Sequence, residues 1–273
     1  MKIYSISKVL AFPIILIAVA ILYFAQQSIS VFIIIPVAML VALYTFHGIL
    51  DHWWLSRYPV PFDPRLRDWL NNHFKPYQQL HESDRSKFEY RMTLYIEGRL
   101  FSSVGSELRD VPEDIKCMVA AHGIEMCLGI DDYLIGDMDR IYLYKHPFPT
   151  PDFPFLHTVE TNIEDGVIIL SLEQLTNAVI SPETHYNIGY HAYAEAFIGT
   201  QKGIIYPSVP DGFEEVNRIS GFTRDTILQQ TGFENIAILP IHITLFFSHP
   251  ITYKEVLPEQ FKAFSKIFYK NNH

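Results

Sequence analysis

Cysteine is nearly absent from this chain. Cys117 and Cys127 are the only two in 273 residues, too few for a disulfide framework or a Cys-rich zinc site. Both read as small core residues in a reducing compartment. Cations are also scarce, with 21 Lys and Arg against 30 acidic residues and a net charge of −9. That balance excludes a nucleic-acid surface, which needs a dense basic patch. Glycines 203, 212 and 221 stand alone, so there is no Gly-rich phosphate loop, and no Gly-x-Ser-x-Gly elbow occurs. Asp131, Asp132, Asp137 and Asp139 lack the ordered spacing of a calcium loop and read as a solvated turn. Aromatic residues are plentiful, with 20 Phe and 16 Tyr, which excludes a disordered chain.

Charge is missing from the first 46 residues apart from Lys2 and Lys8. Residues 9–25 form an unbroken apolar run, and residues 26–30 are a short, mostly polar link. A second run covers 31–46, broken only by Thr45, and its span reaches 29–50 once the flanks with Ile49 and Leu50 are included. At 1.5 Å per residue each uninterrupted stretch makes a helix of about 25 Å, close to the bilayer core. The short link allows only an antiparallel transmembrane hairpin. Pro13 and Pro36 are tolerated there, and Trp53 and Trp54 suit an interfacial belt. A cleaved signal peptide is the alternative for the first run. No small-x-small cleavage site precedes the second run, however, and the second run would still anchor the chain. Lys2 and Lys8 on one flank and Arg57, Arg65 and Arg67 on the other put both termini in the cytoplasm of a bacterial-type inner membrane.

Residues 51–64 read as a juxtamembrane linker, and 65–273 as one cytoplasmic domain large enough for a substantial core. All 30 acidic residues and 19 of the basic ones fall after residue 50, giving that part a net charge of −11. Apolar spacing predicts helices over 65–80, 83–101, 113–128, 172–179, 187–198 and 253–269. Short branched or aromatic runs at 141–144 and 167–170 predict strands. Between them, Pro147, Pro149, Pro151 and Pro154 predict an extended loop. The expected class is α+β, mostly helical with a small sheet.

The chemically informative segment is Asn187-Ile-Gly-Tyr-His191-Ala192-Tyr-Ala-Glu195. His191 and Glu195 are four apart and share a helix face. Such a pair can bind a metal or pack as a hydrogen-bonded pair in the core, and a metal needs further ligands.

The order of features resembles the Mlc titration factor A family of zinc-dependent, zincin-like metallopeptidases. It begins at Ser83-Asp-Arg-Ser-Lys-Phe-Glu-Tyr-Arg91 and continues through Gly105-Ser-Glu107-Leu-Arg-Asp110 and Ala120-Ala121. It goes on through Ile141-Tyr-Leu-Tyr-Lys-His-Pro-Phe148 and the His191 helix to Phe246-Phe247-Ser-His-Pro250. The resemblance covers roughly 65–270. It implies a His-Glu-x-x-His helix with two zinc-binding histidines, a general-base glutamate, and a later glutamate as third ligand. Zinc with three protein ligands keeps a fourth position for water and lowers its pKa, and a nearby carboxylate takes the proton.

The sequence departs from that pattern at its centre. His191 matches the first ligand, Ala192 stands where the general base belongs, and Glu195 stands where the second histidine belongs. The third ligand falls at Ala237, and no acid occupies 235–248. Pro240 interrupts the same stretch and is expected to kink its helix. Glu195 can still ligate zinc. Glu234, taken as one helical turn from Ala237, is a speculative third ligand, with His242 and His185 as further candidates. No cofactor is assigned, zinc being the one metal the resemblance implies. The expected function is a membrane-anchored, catalytically inactive family member that binds a protein or peptide partner. The alternatives are an active membrane-tethered zinc peptidase with a rearranged site, and a structural component of a membrane complex.

Overall fold

The structure is a computed structural model that describes residues 5–24, 33–105 and 110–269. The chain divides into two compact units, Met1–Phe62 and Asp63–His273.

The first unit holds α1 (Ile6–Phe24) and α2 (Ile34–Arg57), which pack against each other. Both are long and apolar enough to cross a membrane. Their 19 and 24 residues correspond to about 28 and 36 Å. Lys2 and the link at 26–30 lie outside the described residues. α1 starts at Ile6, three residues before the apolar run. Asp51 of α2 supplies the reason: its carboxylate accepts hydrogen bonds from the Ser7 N–H, the Ser7 hydroxyl and the Ser5 hydroxyl, each at 2.8 Å. An anion at a helix start meets free N–H groups and the positive end of the dipole.

The second unit is mostly helical. It runs α3 (Pro64–His73), α4 (Lys75–Gln79), α5 (Glu82–Gly98), β1 (Leu100–Val104), α6 (Glu113–Met126), β2 (Arg140–Tyr144), β3 (Val159–Asn162) and β4 (Val167–Ser171). Then follow α7 (Leu172–Ile180), α8 (Ile188–Thr200), α9 (Phe213–Ser220), α10 (Arg224–Thr231), α11 (Ile238–Ser248), α12 (Pro250–Val256) and α13 (Pro258–Phe268). The four strands form one sheet in the order β1-β2-β4-β3. β1, β2 and β4 are mutually parallel, and β3 is antiparallel to β4 at one edge.

This is the expected α+β class, with differences in detail. The helix predicted over 83–101 ends at Gly98, and Leu100 opens a strand. The stretch between the two predicted strands is not loop throughout, because Val159–Asn162 pairs with β4. Helix 65–80 breaks at Phe74, and helix 253–269 breaks at Leu257. In both cases a proline follows in the first turn of the next helix, where its missing N–H costs nothing. Pro240 does not kink α11. The helix begins at Ile238, so Pro240 sits in its first turn, where no intrahelical N–H partner is needed.

One helix is central. α8 packs against β3 and β4, and also against α6 and α11. Nine of its thirteen residues are buried. Surrounded in this way, it shows almost no amphipathic stripe.

Candidate functional site

The Asn187 side chain sets where α8 begins. Its Oδ1 accepts from the Tyr190 N–H at 3.0 Å, an N-cap bond. Its amide nitrogen lies 3.2 Å from His122 Nε2 on α6. His122 Nδ1 is 2.8 Å from the Met118 carbonyl. A neutral ring therefore donates from Nδ1 to Met118 and accepts at Nε2 from Asn187. Burial, partly opposed by the Met118 carbonyl, pushes the His122 pKa down to about 4.

One turn along α8, His191 is only 1% exposed. Its Nδ1 lies 2.8 Å from the Tyr186 hydroxyl. Its Nε2 lies 3.4 Å from Glu195 Oε1. The ring thus bridges Tyr186 on one side and Glu195 on the other. Glu195 is the more accessible partner, with its side chain 34% exposed. Burial works against its ionisation, but the charge and hydrogen bond of His191 and a hydrogen bond from Thr161 outweigh it and hold the carboxyl below the usual range. Ala192 is completely buried, and the Thr161 hydroxyl oxygen lies 3.4 Å from its carbonyl oxygen.

The residues can be tested against a zinc ion. A separation of 3.4 Å between His191 Nε2 and Glu195 Oε1 suits two corners of a tetrahedron with bonds of about 2.0–2.2 Å. A third protein donor is then required. Among the described residues no group of three His, Cys, Asp or Glu side chains is placed to hold a metal. Glu234 is not on a helix with Ala237. It is exposed, in the bend between α10 and α11, and Ala237 is the exposed cap residue of α11. His242 has both ring nitrogens engaged, Nδ1 with the Tyr253 hydroxyl at 3.0 Å and Nε2 with the Pro210 carbonyl at 3.3 Å. His185 Nδ1 faces the Thr184 hydroxyl at 2.9 Å. The site therefore unites His191 and Glu195 but neither Glu234, His242 nor His185 with them, and it does not fit a three-ligand zinc centre.

Two features escaped the sequence reading. Tyr186 lies outside α8, so helical spacing does not connect it to His191. The second is Glu125, one turn after His122 on α6, which accepts a hydrogen bond from the Tyr190 hydroxyl. Burial pushes its carboxyl up to about 8, against the lowering effect of the Tyr190 bond. The His122 and Glu125 spacing was a legible signal, hidden inside a run that reads as plain core.

The chain matches the family described as glucose-regulated metallo-peptidase M90 over residues 51–197. No curated protein and no solved structure matches it. The matched span opens at Asp51 and closes at Phe197. It includes His191 and Glu195 and stops before α11, so it is shorter at the C-terminal side than the resemblance read from the sequence.

Proposed function

Because the chain belongs to the glucose-regulated metallo-peptidase M90 family, we propose that it is a membrane-anchored member that has lost peptidase chemistry and binds a protein or peptide partner. One observation carries the loss: buried Ala192 occupies the general-base position, beside a two-donor His191–Glu195 pair that no third donor joins among the described residues. Bound zinc would supply a polarising charge and a water of lowered pKa. Ala192 has no group to take that water's proton, and losing a positioned base forfeits about 10²–10⁴ in rate. The His191 ring is engaged by Tyr186 on one side and Glu195 on the other, which supports a hydrogen-bonded relic of the site. The fold that once held a peptide substrate remains, so peptide or protein binding is the activity it best supports.

Elemental analysis of the purified full chain tests this, together with hydrolysis of a peptide library in added zinc. The expected result is well below one zinc per chain and no cleavage. About one zinc per chain, lost in His191→Ala and Glu195→Ala, would favour the second reading, a peptidase with a rearranged site. The 3.4 Å spacing of the pair is the observation on its side.

The anchoring rests on α1 and α2. Lys2 and Lys8 precede the first apolar run, Arg57 ends α2 and Arg65 and Arg67 follow it, a distribution that supports both termini in the cytoplasm. Cytoplasm-active and periplasm-active reporters fused to each end check it. A periplasmic signal from the C-terminal fusion would contradict the arrangement.

A further inference from the structure

A cleft of about 330 Å³ opens at the carboxyl end of the parallel strands, away from the His191–Glu195 pair in its lining. Ser171 ends β4 and caps α7, its hydroxyl accepting from the Gln174 N–H at 3.5 Å. Crevices at the ends of parallel strands are where such sheets hold ligands. Gln174 and Asn177 reach the cleft from one face of α7, and Gln229 and Gln230 from the last turn of α10.

Gln230 is largely committed. Its Oε1 accepts from the Tyr186 N–H at 2.6 Å and from Gln174 Nε2 at 3.1 Å, and its Nε2 donates to the Thr184 carbonyl at 2.8 Å. The other carboxamides have capacity left. Among the described residues, Gln174 Oε1 and the side-chain amides of Asn177 and Gln229 have no hydrogen-bond partner. Each carboxamide can donate and accept, as a peptide group does. The wall excludes other ligand classes. It contains no Lys or Arg to attract a phosphate or carboxylate, and its one charged group, Glu173, is paired with His146 at 2.7 Å. It also has no aromatic face on which a base or sugar ring could stack.

We propose that this cleft binds an extended, uncharged peptide segment, whose main-chain amides pair with the carboxamides of Gln174, Asn177 and Gln229. The proposal rests on the peptide-binding reading above and assigns it a place away from the relic pair. Gln230 and Gln174 hold the backbone of Tyr186, and the Tyr186 hydroxyl holds His191. The cleft is thus joined to the old site through a single residue.

The test uses the detergent-solubilised full chain and end-blocked hexapeptides of Gly, Ser, Asn and Gln, followed by saturation-transfer NMR. Roughly millimolar dissociation constants are expected for so few hydrogen bonds. Asn177→Ala combined with Gln229→Ala should weaken binding by about tenfold or more and leave the melting temperature unchanged, because neither side chain has an internal partner to lose. His191→Ala should leave the peptide affinity unchanged. Peptide binding that survives the double variant but is lost in His191→Ala would overturn the cleft assignment and leave the peptide-binding reading standing. Absence of any peptide binding would overturn both that reading and the cleft, while the zinc and hydrolysis arms still report separately on lost catalysis. Binding of maltotriose in place of the peptides, sensitive to the double variant, would show a saccharide site and overturn the peptide assignment.

Discussion

Replacing Ala192 with Glu lowers the melting temperature by roughly 6–12 °C and produces no peptidase. Ala192 has no exposed surface, and α8 is enclosed by β3, β4, α6 and α11. Forcing added methylenes into a filled core costs about 1–3 kcal/mol, and an unpaired buried carboxylate adds to that. A total near 3 kcal/mol in a domain of this size gives the stated shift, at about 2–4 °C per kcal/mol. Glu195→His, by contrast, changes a side chain that is one-third exposed and should be tolerated. Combining the two rebuilds the family's motif in letters only, because a third donor is still required. Thermal melts and metal analysis of the single and double variants check this. A double variant that melts at the wild-type temperature with one zinc per chain would show that the site had kept its room and its third ligand.

Glu125→Gln should stabilise the protein at pH 8 and change little at pH 4.5. The folded carboxyl is pushed up to about 8 from an ordinary value of 4.5. The folded state thus holds a proton that the unfolded state releases, and stability falls as pH rises from about 4.5 to about 8. His122 works in the opposite sense. Its folded pKa of about 4 lies below the ordinary 6.5, so stability is lost as pH falls from about 6.5 to 4. The two slopes oppose each other at mildly acidic pH, and above about 6.5 only that of Glu125 remains. The wild type should therefore lose stability between pH 6.5 and 8, by about 1.5–2 kcal/mol. Gln keeps an acceptor for Tyr190 but does not titrate, so the variant's curve should be flat there and still fall in acid. Melting curves across that range decide it. Parallel curves for the two proteins would show that Glu125 is ionised in the fold at neutral pH.

Some of this architecture was legible because it is local. A helix beginning near Asn187, its apolar run and the four-residue spacing of His191 and Glu195 all belong to one short segment. Val167–Ser171 announced itself through consecutive branched residues. What stayed hidden depends on partners distant in sequence. Val159–Asn162 carries three polar residues in four and becomes a strand because β4 pairs with it. Leu100–Val104 follows a helix without a pause, and its parallel partner β2 lies some forty residues on. Prolines misled in both directions. Pro240 reads as a breaker inside an apolar run, yet it opens a helix. At Phe74 and Leu257 the chain stops and restarts where apolar spacing alone continues. At the candidate site, the family pattern located His191 and Glu195, but the bonds of Tyr186 to His191 and of Asn187 to His122 join side chains that no single helix period connects. Glu234 failed as a neighbour because the chain between α10 and α11 is a bend, and helical arithmetic does not apply there.

The carboxylate of Asp51 also has a consequence for biosynthesis. Its three donors come from Ser5 and Ser7, so the contact cannot form until some forty-five further residues have been added. While the contact holds, the chain must leave the paired helices on the side where it entered. Removing the segment that carries Ser5 and Ser7 would leave Asp51 without those donors at the head of the span that matches the family.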